Sequence, residues 1–261
     1  MQPRLTNQVV IITGASSGIG AAAAAAFVAA DARVVLAARS AAQLSALGEQ
    51  LGGLDRVLVA PTDVTKPEDC ERLARVTAQQ FGRIDVLVNN AGVGHWTFFE
   101  ELTELEIRRI VETNVLGVMN AAHAVLPWMR LQGRGVIINV ASTVGHMGFP
   151  MMSVYCATKF AVRGFSQALR SELAPTGIAV VCLCPGHTDT EFFAHAVMRE
   201  HRWRHGLQRA ASPAKVARRL VALAVKPKPE VVLGVEGRLL AWSCRHFPRL
   251  TAWLAERFFK A

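Results

Sequence analysis

Tyr155 is the sole tyrosine of the chain and opens the run Tyr155-Cys156-Ala157-Thr158-Lys159. On a helix, positions i and i+4 share a face, so the phenol and the Lys159 ammonium can approach each other. A free phenol has a pKa near ~10, too high for proton exchange at neutral pH. A nearby cation lowers an acid's pKa by about 1–3 units, which predicts a phenol poised to give or take a proton. Ser142 lies upstream, just after the strand-like run Val136-Ile137-Ile138. Its hydroxyl could hold a carbonyl oxygen beside the phenol. Asn114 falls inside a long helical pattern, in the helix-unfavourable stretch Thr113-Asn114-Val115. A polar amide there needs a partner, and a water or backbone contact leading towards Lys159 would supply one.

These side chains need a scaffold, and the chain supplies one in alternating runs. Val9-Val10-Ile11-Ile12, Val34-Val35-Leu36, Val57-Leu58-Val59, Val86-Leu87-Val88, Val136-Ile137-Ile138 and Ala179-Val180-Val181 are nearly continuous apolar runs. Strands covered on both faces read this way. Helix-length segments lie between or after them, at 21–30, 41–51, 66–81, 102–129, 153–174 and 212–225, with Gly or Pro at most joins. The alternation predicts an α/β fold, a doubly wound parallel sheet with helices on both faces. Such sheets bind ligands at the carboxyl ends of their strands, where Ser142 falls.

The first strand-to-helix join is Thr13-Gly14-Ala15-Ser16-Ser17-Gly18-Ile19-Gly20. Its glycines let the backbone turn sharply and approach a pyrophosphate, while the helix N-terminus presents free N–H groups and a partial positive charge. The second strand ends Ala37-Ala38-Arg39-Ser40. An NAD site usually has an acidic residue here for the adenosine ribose hydroxyls. Ala38 leaves that place uncharged, and the Arg39 guanidinium can meet a 2′-phosphate. NADP(H) is therefore the preferred cofactor, with NAD(H) the second choice. Asp63-Val64, after the third strand, is placed to contact adenine, although Asp63 could equally cap the helix beginning near Lys66. Asn89-Asn90-Ala91-Gly92 ends the fourth strand, where amide side chains can pin strands and the cofactor floor.

Composition narrows the function classes. With 261 residues, 51% hydrophobic and 19% charged, the chain buries a substantial core, which excludes a disordered or collagen-like protein. Its 5 cysteines, without CxxC spacing, fit a reducing compartment better than a disulfide framework or a structural zinc site. His123, His146, His187 and His195 share no ligand spacing, so no metal is expected. The N-terminus runs directly into a strand without a signal region, and no segment is apolar enough to cross a bilayer, which together predict a cytoplasmic protein. The net charge of +9 is uneven: residues 199–261 carry 14 basic and 4 acidic side chains, a net of +10. Such asymmetry suits an acidic partner or a solvated basic surface.

Together, these segments resemble the short-chain dehydrogenase/reductase family, in its single-domain branch. Thr13–Gly20 looks like the family's TGxxxGxG turn, and Asn89–Gly92 like its NNAG motif. Asn114, Ser142, Tyr155 and Lys159 match its catalytic tetrad, and Pro185-Gly186-His187-Thr188-Asp189-Thr190 its PG motif. The resemblance implies one Rossmann-like domain of about seven strands over residues 1–237, followed by a basic amphipathic helical extension at 238–261. It implies hydride transfer between nicotinamide and a carbonyl or secondary alcohol, with Tyr155 as general acid/base and Ser142 orienting the oxygen. Lys159 would lower the phenol pKa and bind the nicotinamide ribose, Asn114 would support a proton path, and Thr190 would bond the carboxamide. Family members usually form homodimers or homotetramers. The alternative is a non-catalytic dinucleotide-binding regulatory or membrane-surface protein, which would have no need for the four polar residues together. Nucleic-acid binding would leave them unexplained.

The loops after strands four, five and six would meet substrate. They read His95-Trp96-Thr97-Phe98-Phe99, then His146-Met147-Gly148-Phe149-Pro150-Met151-Met152, then Glu191-Phe192-Phe193. Aromatic and Met side chains predict an apolar, adaptable pocket. In the tail, Pro248 should separate two short helices. Leu250, Trp253, Leu254 and Phe258 recur at helical spacing among Arg249, Arg257 and Lys260. That pattern suits an interfacial membrane helix, a helix closing the substrate pocket, or one packing on a second subunit.

Overall fold

A computed structural model describes residues 4–53, 56–190, 192, 196–199 and 210–260, without the side chains of 256 and 258–260. Seven parallel strands form the main sheet: β1 (Val9–Thr13), β2 (Arg33–Ala38), β3 (Val57–Pro61), β4 (Val86–Asn89), β6 (Gly135–Val140), β7 (Ile178–Cys184) and β9 (Glu230–Val232). The order is β3-β2-β1-β4-β6-β7-β9. The chain winds outward one way from β1 and then the other from β4, leaving a crevice at the β1/β4 switch point. β5 (His95–Trp96) and β8 (Val197–Met198) pair separately.

The continuous apolar runs do what their pattern predicts. In β1, Val10 and Ile12 enter the core under α1 (Gly18–Ala29), α2 (Ala41–Gln50) and α7 (Pro213–Val225). Val9 and Ile11 enter the opposite core, under α3 (Pro67–Phe81), α5 (Gly117–Gln132) and α6 (Ser153–Leu173). Successive strand side chains point to opposite faces, so a strand buried on both sides has no polar position to spare. The alanine-rich start of α1 buries Ala23, Ala24 and Phe27. Small side chains let it lie close against the sheet and α7.

The segment expected as one helix over 102–129 is interrupted. α4 (Glu104–Val111) passes into a π-helical turn, Glu112–Leu116, before α5 begins. Asn114 is the buried residue of that turn. π-turns insert a residue into the helical ladder and redirect a side chain, frequently at functional sites. Three short elements had no sequence signal strong enough to be named. β9 spans three residues at the sheet edge, and β5 and β8 have two each. At the C-terminus, α8 (Val235–His246) and α9 (Pro248–Lys260) meet at Pro248, as its missing N–H and fixed φ require.

Candidate active site

The glycine turn is built from close approaches. Gly14 has φ +65°, and a Cβ on Gly20 would stand 2.0 Å from the Gly14 carbonyl oxygen. Asn90 ties this turn to β4: its Nδ2 donates to the carbonyls of Thr13 (3.1 Å) and Gly14 (3.2 Å). The Thr13 hydroxyl accepts from the amides of Asn90 (3.0 Å) and Ala91 (3.1 Å). Ser17 precedes α1 without a side-chain cap, and the first turn holds no acidic residue. The helix therefore offers its N-terminal N–H groups to an anion.

Below the crevice, Asn89 Nδ2 donates to Asn139 Oδ1 at 2.9 Å, and Asn139 Nδ2 donates to Ser166 Oγ at 2.9 Å. This buried relay pins β4 to β6 and β6 to α6. Each amide nitrogen donates to another element, which ties together the strands that carry the site.

Tyr155 is buried near the start of α6, its ring centroid 5.6 Å from that of Phe192. His95, fully buried in β5, accepts the Val154 amide proton at Nε2 (3.1 Å) and so holds the start of α6. Burial lowers the His95 pKa and keeps that nitrogen an acceptor. His95 is thus a packing residue rather than the substrate-loop residue the sequence suggested. Asn114 Oδ1 accepts from Val93 N (2.8 Å), and its Nδ2 donates to Val93 O (2.8 Å) and Thr158 Oγ1 (3.1 Å). Thr158 in turn donates to the Tyr155 carbonyl at 2.7 Å. Asn114 thus has a backbone partner, but the contact runs to Val93 and not towards Lys159, whose amine goes to the Val140 carbonyl. Thr158, to which the sequence alone assigns no role, links the π-turn to the helix turn bearing Tyr155.

The electrostatics correct one expectation. Lys159 Nζ donates to the Val140 carbonyl at 2.9 Å and lies 5.5 Å from the Tyr155 ring centroid. The amine is held by the end of β6, not by the phenolic oxygen. Burial pushes the Tyr155 phenol well above its ordinary range, and the Ser142 hydroxyl partly offsets this by hydrogen bonding. Burial also brings the Lys159 pKa down to about 8. Desolvation outweighs the i, i+4 attraction because both groups are buried. Ser142 itself donates to the Pro185 carbonyl at 3.5 Å and accepts from the Val144 amide at 3.4 Å.

One cavity of about 930 Å³ unites these residues. Gly14, Ser16, Ser17, Gly18, Ile19, Arg39, Asp63, Val64, Asn90, Ala91 and Gly92 line one part. Ser142, Tyr155, Lys159, Pro185, Gly186, Thr188 and Thr190 line the rest. Of the residues singled out from sequence, Gly20 and Asn114 stand behind the wall, the first against the Gly14 backbone and the second fully buried. Arg39 is exposed at the rim, next to Ser40, whose hydroxyl caps α2 by accepting from Gln43 N (3.4 Å). Asp63 does not cap α3: its Oδ1 accepts from Thr65 N (3.0 Å) and Oγ1 (2.8 Å) within the preceding turn.

Trp96, Met147, Phe149, Met152 and Phe192 also line the cavity, with Leu240, Thr251, Leu254 and Ala255 from α8 and α9. Phe98 and Phe99 point into solvent, and Thr97 is buried. Glu191, Phe193 and His195 lie outside the described residues, as do the side chains of Phe258 and Lys260. On the far side of β7, His146, Cys184 and Glu230 bring three donor atoms within 4.8 Å of one another. Sequence spacing gave no hint of that convergence. Glu230 is engaged there by Arg163, at 3.2 and 3.3 Å, which sets a positive charge beside the group.

Residues 8–201 match the family model described as short chain dehydrogenase. An uncharacterized oxidoreductase of Staphylococcus saprophyticus is 42% identical over 191 residues, covering 72% of this chain and 77% of that protein. The crystal structure of a short-chain dehydrogenase from Streptomyces avermitilis superposes with a TM-score of 0.84 at 34% identity, covering 97% of both chains. A 3-ketoacyl-(acyl-carrier-protein) reductase from Brucella melitensis, complexed with NADH, gives a TM-score of 0.79 at 32% identity, covering 88% of this chain and 97% of that one.

Proposed function

The chain belongs to the short-chain dehydrogenase/reductase family, and from that premise we propose that it is an NADP(H)-dependent reductase of apolar carbonyl compounds. The observation that carries the reading is the convergence of a buried phenol, a buried ammonium and a serine hydroxyl in the same cavity as an uncapped helix N-terminus and Arg39. When bound, the dinucleotide supplies or accepts the hydride.

The residues present fit such a cofactor. The glycine turn leaves no room for a Cβ at Gly20, and α1 aims unshared N–H groups at the cavity, the requirements of a pyrophosphate cradle. Arg39 and the N-terminus of α2 make the rim positive where Ala38 withholds a carboxylate, which supports NADP(H). NAD(H) is the second choice, and the Brucella relative was solved with NADH.

Tyr155 is the proton donor in this reading. A phenol held far above its ordinary pKa is protonated at rest, so the site is set for reduction of a carbonyl. As the proton leaves, a buried phenolate forms and needs a counter-charge. Lys159, cationic at neutral pH, supplies it from the next helical turn. Ser142 orients the carbonyl oxygen. Asn114, through Val93 and Thr158, holds the π-turn against α6 and is a positioning residue. Trp96, Met147, Phe149, Met152 and Phe192 make the wall apolar, which favours a hydrophobic ketone or aldehyde over a sugar. Exposed Leu105, Leu131 and Phe160 on α4, α5 and α6 support assembly through these helices as a homodimer or homotetramer. Five free cysteines fit a reducing, cytoplasmic setting.

The test is a set of apolar and polar carbonyls assayed by loss of reduced-nicotinamide absorbance across pH. Reduction of apolar members is expected to hold level at neutral pH and decline above about pH 8, as Lys159 loses its proton and the phenolate its counter-charge. Alcohol oxidation, which needs the phenol deprotonated, should instead rise with pH. No turnover of any apolar carbonyl, or reduction that climbs above pH 8, would overturn the reading.

A further inference from the structure

The C-terminal helical pair has two sides. Leu240, Thr251, Leu254 and Ala255 face the active-site cavity. Val235, Leu239 and Trp242 follow one another at i, i+4, i+7 along α8, and all are exposed. Phe247 packs its ring 5.5 Å from that of Trp242 at the junction, itself exposed. Leu250 and Trp253 continue the exposed apolar surface on α9. Trp242 is 55% and Trp253 51% exposed, a high value for a side chain that ordinarily finds cover. Around them stand Arg238, Arg245, Arg249 and Arg257, all exposed, with Glu236 the one exposed acidic side chain among the described residues of α8 and α9. The Arg257 guanidinium lies over the Trp253 ring at 5.3 Å.

We propose that α8 and α9 dock this protein on an anionic membrane surface, so that the active-site cavity receives a lipophilic carbonyl compound carried in the bilayer. The substrate half of this statement rests on the reductase reading; the docking half does not. Tryptophan and leucine seat in the headgroup region, while surrounding arginines are drawn to anionic lipids. A second copy of the chain fits the patch poorly, because a twofold contact would set arginine against arginine. Neither α8 nor α9 is long or apolar enough to cross a bilayer, so the contact is peripheral.

The patch is coupled to the chemistry by position. Gly237, buried in the first turn of α8, lies so near the turn after Ser142 that a Cβ there would stand 2.7 Å from Thr143 Cγ2. Thus α8 starts against the catalytic turn, and the pair walls the cavity with one side while presenting tryptophan to the exterior with the other. A substrate leaving the headgroup region would reach the cavity wall without crossing bulk water.

The experiment is vesicle flotation of the full-length protein with phosphatidylcholine alone and with phosphatidylcholine containing phosphatidylglycerol, alongside Trp242→Ser/Trp253→Ser and Arg245→Gln/Arg249→Gln variants. None of these four side chains lines the cavity. The parent should float with the anionic vesicles and stay behind with neutral ones, and salt should weaken the association. Each double variant should bind at least about tenfold more weakly, while keeping parental circular dichroism, nucleotide affinity and turnover of a short, water-soluble carbonyl. Turnover of a long-chain carbonyl embedded in vesicles should fall with binding. Equal flotation with both lipids, binding unchanged in the variants, or a variant that floats normally but changes oligomeric mass would each overturn the docking. Anionic flotation without carbonyl turnover in any form would retain the docking and overturn the reductase reading.

Discussion

Replacing Tyr155 by phenylalanine is expected to lower kcat for carbonyl reduction by about a thousandfold, within the ~10²–10⁴ range that a positioned general acid contributes. The substitution removes one oxygen atom from a ring that is buried and packed on Phe192, so the aromatic volume and its contacts persist. What is lost is the proton donor and its hydrogen bond with the Ser142 hydroxyl. A neutral hydrogen bond of this kind contributes about 1 kcal/mol to stability, too little to unfold the chain. Steady-state kinetics and nucleotide titration of the same variant separate the two effects. A fall in kcat with unchanged NADPH affinity supports the proton-donor role, whereas unchanged kcat would transfer that role to another group.

A second large effect is expected at the cavity rim. Arg39→Ala should raise the KM for NADPH by roughly tenfold and leave that for NADH close to its parental value. The interaction lost would be a charge-assisted pair with the 2′-phosphate, worth about 1.5–3 kcal/mol when shielded and less at an exposed rim. Adding Ala38→Asp places a carboxylate at the end of β2, where it would repel the phosphate and accept from ribose hydroxyls. The double variant is expected to shift the NADPH-to-NADH ratio of kcat/KM by about a hundredfold in favour of NADH. Parallel kinetics with both nucleotides decide it, and a ratio unaffected by both substitutions would remove Arg39 from the cofactor site.

Much of this architecture is legible in the chain because the signals are strong and local. A parallel strand between two helix layers is apolar wherever no buried polar partner awaits it, and Val9–Ile12 or Val86–Val88 can hardly be read otherwise. The glycines of Thr13–Gly20 are required by contacts that a Cβ would prevent. The features that escaped are those decided by distant partners. Nothing near Asn114 spells a π-turn; the turn is held by the Val93 backbone, more than twenty residues upstream, and by Thr158 from α6. The i, i+4 spacing of Tyr155 and Lys159 is visible, but not that the Val140 carbonyl takes the ammonium, nor that burial outweighs their attraction. His95 resembled a pocket residue in sequence and became a support for α6, because its buried Nε2 accepts the amide proton of Val154, a residue almost sixty positions downstream. β9 is a three-residue edge strand just after Pro229, too short for its pattern to register.

The most direct measurement of the central claim is isotopic. The protein is supplied with NADPH deuterated at the transferable C4 position and an apolar ketone, and the alcohol is analysed by mass spectrometry. One deuterium is expected on the carbinol carbon for each NADPH consumed, with loss of this product in Tyr155→Phe. Alcohol formed without deuterium, or nucleotide consumed with the ketone unchanged, would contradict that claim.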